Sequence, residues 1–355
     1  MNSDTELYAI YFFFFCFSLI FSWLINSLFL KFASTLGIRN QTDTVIRWSK
    51  TSKPALGGIS FYILFLLSIA CYSIFFGKNT ILLDKQLLGF LGATTMAFLM
   101  GLSDDAYNTK PLLKFSVQVI CAVILISTGT CIHLFGNEYW NYALTLIWVV
   151  GIMNSVNMLD NMDAVATLVS ICIIGFAIYL FYYENDLNPI FIFPLISAFG
   201  SLVGFLYFNW HPSKMFMGDT GSQFIGIILA TMGIICFWNG HDDHGNFIQT
   251  KQILITALIF IIPICDTASV VLNRIFKGRS PFIGGRDHTT HALFFSGITE
   301  KRIAALFTLI SMISVLLCLW IINIIEWNYL YIALFSIYFL FVFACLFYLV
   351  RKKTK

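Results

Sequence analysis

Residues 142–163 read Tyr142-Ala-Leu-Thr-Leu-Ile-Trp-Val-Val-Gly-Ile-Met-Asn154-Ser-Val-Asn157-Met-Leu-Asp160-Asn-Met-Asp163. The run from Tyr142 to Met153 holds no charged residue and reads as a helix at membrane depth. It then gives way to amides and carboxylates. Asp160 and Asp163 are three apart, so a continuing helix would turn both to one side, with Asn157 one turn earlier. Neighbouring carboxylates repel, and they persist more readily where a cation or a donor-rich substrate compensates the charge. The stretch therefore predicts a polar active site at a membrane face.

Composition agrees with that setting. Of 355 residues, 59% are hydrophobic and 11% charged, far from the roughly quarter-charged make-up of a soluble domain. Membrane lipids are the expected surroundings. With 21 basic and 18 acidic residues, the net charge is too small to suggest nucleic-acid binding. Nine cysteines are present, mostly inside apolar runs and with no CxxC pair, so they read as small buried hydrophobes.

Apolar runs at about 7–30, 57–76, 86–102, 115–132, 139–153, 166–183, 189–208, 223–238, 253–276, 303–325 and 329–350 give the fold class. It is an all-alpha polytopic integral membrane protein of about eleven transmembrane helices, forming one membrane-embedded domain over 1–355. The first run is too long, and too weakly flanked by basic residues, for a cleaved leader. The ninth carries Pro263, Asp266 and Arg274, and an acid at that depth should face the protein interior, either functional or paired with Arg274. Basic residues orient the chain. If the loop with Lys31, Arg39, Arg47, Lys50 and Lys53 is cytoplasmic, only Lys78, Lys85 and Lys251 of the 21 basic residues fall outside. The positive-inside rule then sets the N-terminus outside and the C-terminus in the cytoplasm.

That topology gathers Lys53 to Gly58, Asp104 and Asp105, Asn157 to Asp163, Asn209 to Asp219, and Gly278 to His291 on one face. Scattered polar loops would divide between faces. Five carboxylates converge there: Asp104, Asp105, Asp160, Asp163 and Asp219. Adjacent residues on a helix point about 100° apart, so Asp104 and Asp105 should differ in role, one meeting a metal or nucleophile and the other fixing a lysine. Oxygen-rich ligands suit Mg²⁺ and a substrate phosphate. Zinc fits less well, since His288 and His291 lack a completing set. Lys53, Lys114, Arg279 and Arg286 supply cations for a diphosphate. A soluble phosphorylated donor and a lipid acceptor follow. His241-Asp242-Asp243-His244 lies on the other face and reads as a solvated loop, and His211 beside Pro212 reads as structural.

Five of these motifs carry a resemblance: Lys53-Pro54 with Gly57-Gly58, Gly101-Leu-Ser-Asp104-Asp105, Asn154 to Asp163, Phe216-Met-Gly-Asp219-Thr-Gly-Ser222, and Gly285-Arg-Asp287-His288-Thr-Thr-His291. In that order they resemble the motifs of the polyprenyl-phosphate N-acetylhexosamine-1-phosphate transferases, over a motif-bearing core of about 31–302. The resemblance implies transfer of a sugar 1-phosphate, most simply GlcNAc 1-phosphate, from a UDP-N-acetylhexosamine to undecaprenyl phosphate, with release of UMP, in the bacterial cytoplasmic (inner) membrane. The product would initiate a cell-wall or surface glycan such as lipopolysaccharide. The family uses Mg²⁺, with Mn²⁺ as a substitute. Residue by residue, the resemblance assigns Asp219 to the metal, with Asp104 or Asp105 near it and acting on the lipid phosphate. It assigns Asn157, Asp160 and Asp163 to the nucleotide, and His288, His291, Arg279 and Arg286 to the donor diphosphate or sugar.

Two departures matter. Ala164 stands where many members carry glycine. His288-Thr-Thr-His291 replaces the consecutive histidines of several branches, which argues against the phospho-MurNAc-pentapeptide branch and for a smaller UDP-sugar. A transporter of a phosphorylated metabolite is the rival reading, although no internal repeat is visible. A membrane scaffold is the second. The apolar outer spans are compatible with a homodimer.

Overall fold

The computed structural model describes residues 3–32, 53–76, 84–183, 189–241, 247–278, 280 and 287–353. Arg279 and Arg286 lie outside the described residues, as do Arg39, Arg47, Lys50 and the Asp242-Asp243-His244 stretch. The chain forms helices α1 (Ser3–Phe32), α2 (Gly57–Phe76), α3 (Lys85–Tyr107), α4 (Pro111–Ser127), α5 (Glu138–Leu159), α6 (Val165–Tyr183), α7 (Ile192–Asn209) and α8 (Gly218–Met232). After them come α9 (Gln249–Ile259), α10 (Ile261–Phe276), the short α11 (Thr289–Phe295), α12 (Glu300–Asn323) and α13 (Tyr329–Lys353). Among the described residues no strand forms beyond one parallel bridge, Ala55 with Phe216.

Nine of the described helices are long and apolar enough to cross a membrane. Two of the eleven expected spans differ in form. The fourth, α4, is an apolar helix of 17 residues opened by Pro111 at its first turn. The ninth is two helices, α9 and α10, bent by 79° at Phe260. Pro263 lies in the first turn of α10, where a proline's missing N–H leaves no bond unmade. The break lets the polar half of α10 leave the direction of α9.

α8 is the centre of the bundle. Its residues Thr220 to Met232 are all buried, as an apolar helix surrounded by other helices should be. Its neighbours approach closely because they carry small residues at the crossings. A Cβ on Gly58 of α2 would stand 2.2 Å from the Gly221 backbone nitrogen, so nothing larger than glycine fits. Aromatic rings fill the rest, with Phe224 of α8 edge-on to Phe65 and Tyr62 of α2. α1 and α13 lie at the periphery, exposing Phe12, Phe13, Ile337 and Phe341.

The two ends of the bundle are tied by different chemistry. At the end where α4 finishes and α5 begins, the connecting segment is held by neutral groups. Asn141 Oδ1 accepts the N–H groups of Leu134 and Phe135 at 3.1 and 2.8 Å. Thr145 Oγ1 accepts the Ile132 N–H at 2.9 Å, and Asn239 accepts the His133 N–H and donates to the Cys131 carbonyl. At the other end, where α3 finishes and α8 begins, carboxylates join one amide, Asn209, whose Oδ1 accepts the Ala164 N–H at 3.1 Å and the Thr167 hydroxyl at 2.7 Å.

Candidate active site

Asp104 and Asp105 close α3 and diverge, as adjacent helical residues must. Asp104 Oδ1 accepts both the backbone N–H (2.8 Å) and the hydroxyl (2.7 Å) of Thr109, fixing the turn into α4. Its Oδ2 lies 3.1 Å from Lys114 Nζ. Asp105 reaches across to α8: Oδ1 accepts the Asp219 N–H at 3.0 Å, and Oδ2 accepts the Thr220 N–H (2.8 Å) and hydroxyl (2.6 Å). A helix start leaves N–H groups without partners and carries partial positive charge, so a carboxylate from another helix is a strong cap.

Lys114, one turn into α4, joins that helix to α3, α5 and α8. Its Nζ donates to Asp219 Oδ1 at 2.6 Å, to Asp104 Oδ2 at 3.1 Å and to Asn157 Oδ1 at 3.2 Å. Asn157 of α5 donates in turn to Asp219 Oδ1 and, at 2.9 Å, to Ser222 Oγ. One helical turn deeper α4, α5 and α8 contribute Gln118, Asn154 and Gln223, an uncharged layer in which Gln118 donates to Gln223 Oε1 at 2.9 Å and exchanges bonds with Asn154. Asp219 Oδ2 receives no donor among the described residues, and the Asp219 side chain is 31% exposed.

The expectation that Asp160 and Asp163 share a helical face is corrected. α5 stops at Leu159, Asp160 caps it, and the chain turns through Ala164, whose φ is 64°. Asp160 stays on the side of Asp219. Burial, then the charges of Asp219, Asp105 and Asp163, push its carboxyl well above the usual range, against the pull of the Gly218 N–H. Asp163 turns away to the segment before α8. It accepts the Ser213 hydroxyl (2.7 Å) and N–H (2.9 Å), lies 3.7 Å from Lys53 Nζ and 3.1 Å from His211 Nδ1. Lys53 donates to Ser213 Oγ at 2.8 Å and sits over the Phe216 ring.

His211, read as structural from its place beside Pro212, is a hub. The same Nδ1 lies 3.1 Å from Glu300 Oε2 at the start of α12. Asp163, His211 and Glu300 have ligand-type atoms within 4.8 Å of one another. The Ser213 donors and Lys53 already meet Asp163, and the group ties α12 to the site's edge. Glu300 was missed because an acid in a first helical turn is adequately explained by the helix dipole.

α10 and α11 complete this end. Asp266 is fully buried, and its partner is not Arg274. Its Oδ1 accepts the Thr289 N–H at 2.9 Å and the Thr289 hydroxyl, and its Oδ2 lies 3.4 Å from His288 Nδ1. Arg274 instead grips Asp287, with Nε and Nη2 at 2.8 and 2.6 Å from its two oxygens. Burial pulls the Asp287 carboxyl up, but the bonds and charge of Arg274 outweigh it and hold the group below the usual range. Thr290 Oγ1 donates to Asn161 at 2.7 Å, so α11 is fastened beside Asp160. His291 is buried, and its ring lies edge-on to His288, with centroids 5.6 Å apart.

The sequence profile of glycosyl transferase family 4 matches residues 87–237. A phospho-N-acetylmuramoyl-pentapeptide-transferase of Staphylococcus epidermidis is 32% identical over 307 residues, 77% of this chain and 86% of that protein. The chain belongs to the polyprenyl-phosphate N-acetylhexosamine-1-phosphate transferase family. A Bacillus subtilis protein assigned as an undecaprenyl-phosphate N-acetylglucosaminyl 1-phosphate transferase is 24% identical, over 85% of this chain and 82% of that protein. The decaprenyl-phosphate N-acetylglucosaminephosphotransferase of Mycobacterium leprae is 27% identical, over 72% and 70%.

Within this transferase, four carboxylates share one device. Asp104 with Thr109, Asp105 with Thr220, Asp163 with Ser213 and Asp266 with Thr289 each accept both the N–H and the hydroxyl of a single residue on another segment. The hydroxyl partners were not singled out from the sequence. Their signal is weak: each is a Ser or Thr at the start of a helix or turn, where such residues are common for local reasons. Asp219 and Asp160 are the carboxylates of the cluster not held this way.

Proposed function

We propose that the protein transfers N-acetylhexosamine 1-phosphate, most simply GlcNAc 1-phosphate, from a UDP-sugar to undecaprenyl phosphate, releasing UMP. The observation that carries this reading is the meeting of Lys114, Asn157 and Asp219 from α4, α5 and α8, with Asp160 beside them. It is a buried-edged polar cluster with excess negative charge at the end of an apolar bundle. Such a cluster is matched to a divalent cation and a diphosphate. The donor set is oxygen alone, Asp219 offers an oxygen that takes no protein donor among the described residues, and the Asp160 carboxyl is pushed up first by burial and then by the charges of Asp219, Asp105 and Asp163. These residues fit Mg²⁺, or Mn²⁺ in its place. Asp219 would hold it, with Asp160 next in reach, because all four oxygens of Asp104 and Asp105 already accept protein donors. When bound, the ion would neutralise charge on the donor diphosphate.

The chain's own groups then align and stabilise. Asp105 fixes the α8 start and so the Asp219 backbone. Asp104 and Asp219 hold Lys114, whose ammonium can turn toward an entering phosphate. Asn157 sets the Asp219 side chain. The acceptor phosphate, with a second pKa near 6, is already mostly dianionic at neutral pH, so attack on the donor's sugar-linked phosphorus needs alignment more than a base. Lys53 and Asp163 line the nucleotide side, and His288, His291, Arg279 and Arg286 the donor's diphosphate or sugar. The same reading takes α4 and the bent α9–α10 pair as spans. That restores eleven in one unit over 1–355, with the N-terminus outside, the C-terminus in the cytoplasm and the site on the cytoplasmic face of a bacterial inner membrane.

The relatives named above include both GlcNAc and MurNAc-pentapeptide enzymes, and the higher identity to the Staphylococcus protein keeps the second donor in the test. Purified protein is assayed for UMP release with Mg²⁺, undecaprenyl phosphate and UDP-GlcNAc, UDP-GalNAc or UDP-MurNAc-pentapeptide, with chelator and lipid-free controls. Lipid-dependent release from UDP-GlcNAc is expected. Release from the pentapeptide donor alone moves the protein to the other branch, and no release from folded protein rejects the transferase reading.

A further inference from the structure

Asp266 lies in the polar half of α10, 22 residues before its partner and remote in sequence from the cluster around Asp219. It is completely enclosed, so its charge must be repaid by hydrogen bonds. Thr289 supplies two of them, which fixes the backbone of the residue after His288. The third comes from the His288 ring. A carboxylate only accepts, so the facing Nδ1 carries the proton and donates to Oδ2 at 3.4 Å. That assigns the tautomer and leaves Nε2 as the imidazole's outward end. Two further ties hold the same segment in place: Arg274, two turns along α10, on Asp287, and Thr290 on Asn161 beside Asp160.

We propose that Asp266 is a positioning residue for the transfer reaction, orienting His288 through Nδ1 so that Nε2 faces the anionic donor diphosphate. The inference rests on the transferase reading above. In a protonated imidazole both ring nitrogens donate, and Nε2–H is then the donor to a phosphate oxygen. Thus α10 carries an acid whose consequence appears at the tip of a residue on another segment. The bend at Phe260 gives α10 the direction from which it reaches the start of α11.

The test is a double-mutant cycle on the full-length protein in detergent, reading UMP release, acceptor KM and melting temperature for Asp266→Asn, His288→Ala and the double variant. Asp266→Asn alone is expected to lower kcat on the order of 10–100-fold, the usual cost of losing a group that orients a working histidine, with the acceptor KM unchanged. In the His288→Ala background it should lower kcat by less than about twofold, since its action passes through the missing ring. A full multiplicative loss in that background, or wild-type kcat in Asp266→Asn, overturns the proposal. Should Asp266→Asn not fold, His288→Asn takes its place: its amide nitrogen reaches the Nδ1 position and lacks the Nε2 end. Melting restored above His288→Ala, with kcat as low as in His288→Ala, supports the proposal, and melting no better than His288→Ala overturns it. Wild-type turnover in His288→Ala overturns the positioning role while leaving the transferase reading intact. Absence of lipid-dependent UMP release from the wild type overturns both.

Discussion

The two ends of the helical bundle do one mechanical job with different chemistry. The segment between α4 and α5 is tied by Asn141, Thr145 and Asn239, and these neutral groups satisfy its backbone. The segments at the other end are tied by Asn209 on Ala164 and Met215 and, in addition, by Asp104, Asp105, Asp163 and Asp266, each on the N–H and hydroxyl of one residue. Amides evidently suffice to close a loop in this bundle. Grouping carboxylates costs desolvation and mutual repulsion, so a structural task alone does not account for them. The difference fits the charged ligand proposed above, with the clamped acids holding a frame around the two that are not clamped.

The strongest way to break that comparison is Asp219→Asn. If the unclamped acids serve the ligand, this nearly isosteric change should leave melting close to wild type while cutting lipid-dependent UMP release by roughly 10²–10³-fold, the usual effect of removing one group that stabilises transition-state charge. Turnover within a few-fold of wild type would make Asp219 another structural acid and dissolve the distinction.

A matched pair sharpens it. Asp105→Asn and Asn141→Ala each remove acceptors from buried-edge N–H groups, at a cost of about 1–3 kcal/mol apiece. Comparable losses of melting temperature are expected from both. Their activities should separate: Asp105→Asn shifts the start of α8 and should lower kcat at least about tenfold, because catalytic groups tolerate little misplacement. Asn141→Ala, assayed below its melting temperature, should keep wild-type kcat. Equal activity losses would mean that the two ends are not functionally different.

The sequence carried most of the architecture and less of the wiring. Apolar length alone marks the helices, and the gathering of Asp104, Asp105, Asp160 and Asp219 at one end follows from counting spans and basic residues. Even the split between Asp104 and Asp105 follows from helical geometry, and Asp104 does hold a lysine. Three features were not legible. Asp160 and Asp163 separate because α5 ends at Leu159 and the chain reverses at Ala164, whereas spacing assumes a helix that continues. Asp266 pairs with His288 and Arg274 with Asp287 because the two stand eight residues apart on α10, about 12 Å along its axis and too far to meet, although opposite charges on one helix invited the local pairing. Glu300 meets His211 across 89 positions, a contact that only tertiary packing makes.

Titration offers a smaller test of the same contrast. The Asp287 carboxyl is held below the usual range by Arg274, so its contribution to stability is complete above the unfolded-state value near 3.9 and is lost as pH falls from there through the folded-state value. The melting difference between wild type and Asp287→Asn should be constant from pH 7 to about 5 and shrink below about 4. Asn141 and its partners do not titrate, so the Asn141→Ala penalty should hold its size over the same range. A Asp287→Asn penalty that grows on acidification would place the Arg274 grip elsewhere.

The smallest effect concerns backbone strain, where the two ends also differ. Each has a residue in the left-handed region. At the neutral end it is Gly129, with φ 90°, just past the end of α4, where the Thr130 N–H returns to the Leu125 carbonyl at 2.8 Å. This is the helix stop that glycine fills without cost. The acidic end has several, Asn108, Gly218, Gly278 and Gly297 among them, and the one that carries an apolar side chain is Ala164, with φ 64° and a buried methyl. A Cβ in that conformation costs roughly 1–2 kcal/mol, while glycine's extra freedom in the unfolded chain costs roughly 0.5–1 kcal/mol. With the roughly 0.8 kcal/mol lost along with the buried methyl, these terms nearly cancel, so Ala164→Gly should shift stability by less than about 1 kcal/mol. Gly129→Ala should destabilise by about 1 kcal/mol or more, since it adds strain where none exists. If Ala164→Gly also raises or lowers kcat, the strained turn helps to set where Asp160 stands. If only the melting temperature moves, the strain is an unrelieved cost of the chain reversal that parts Asp160 from Asp163.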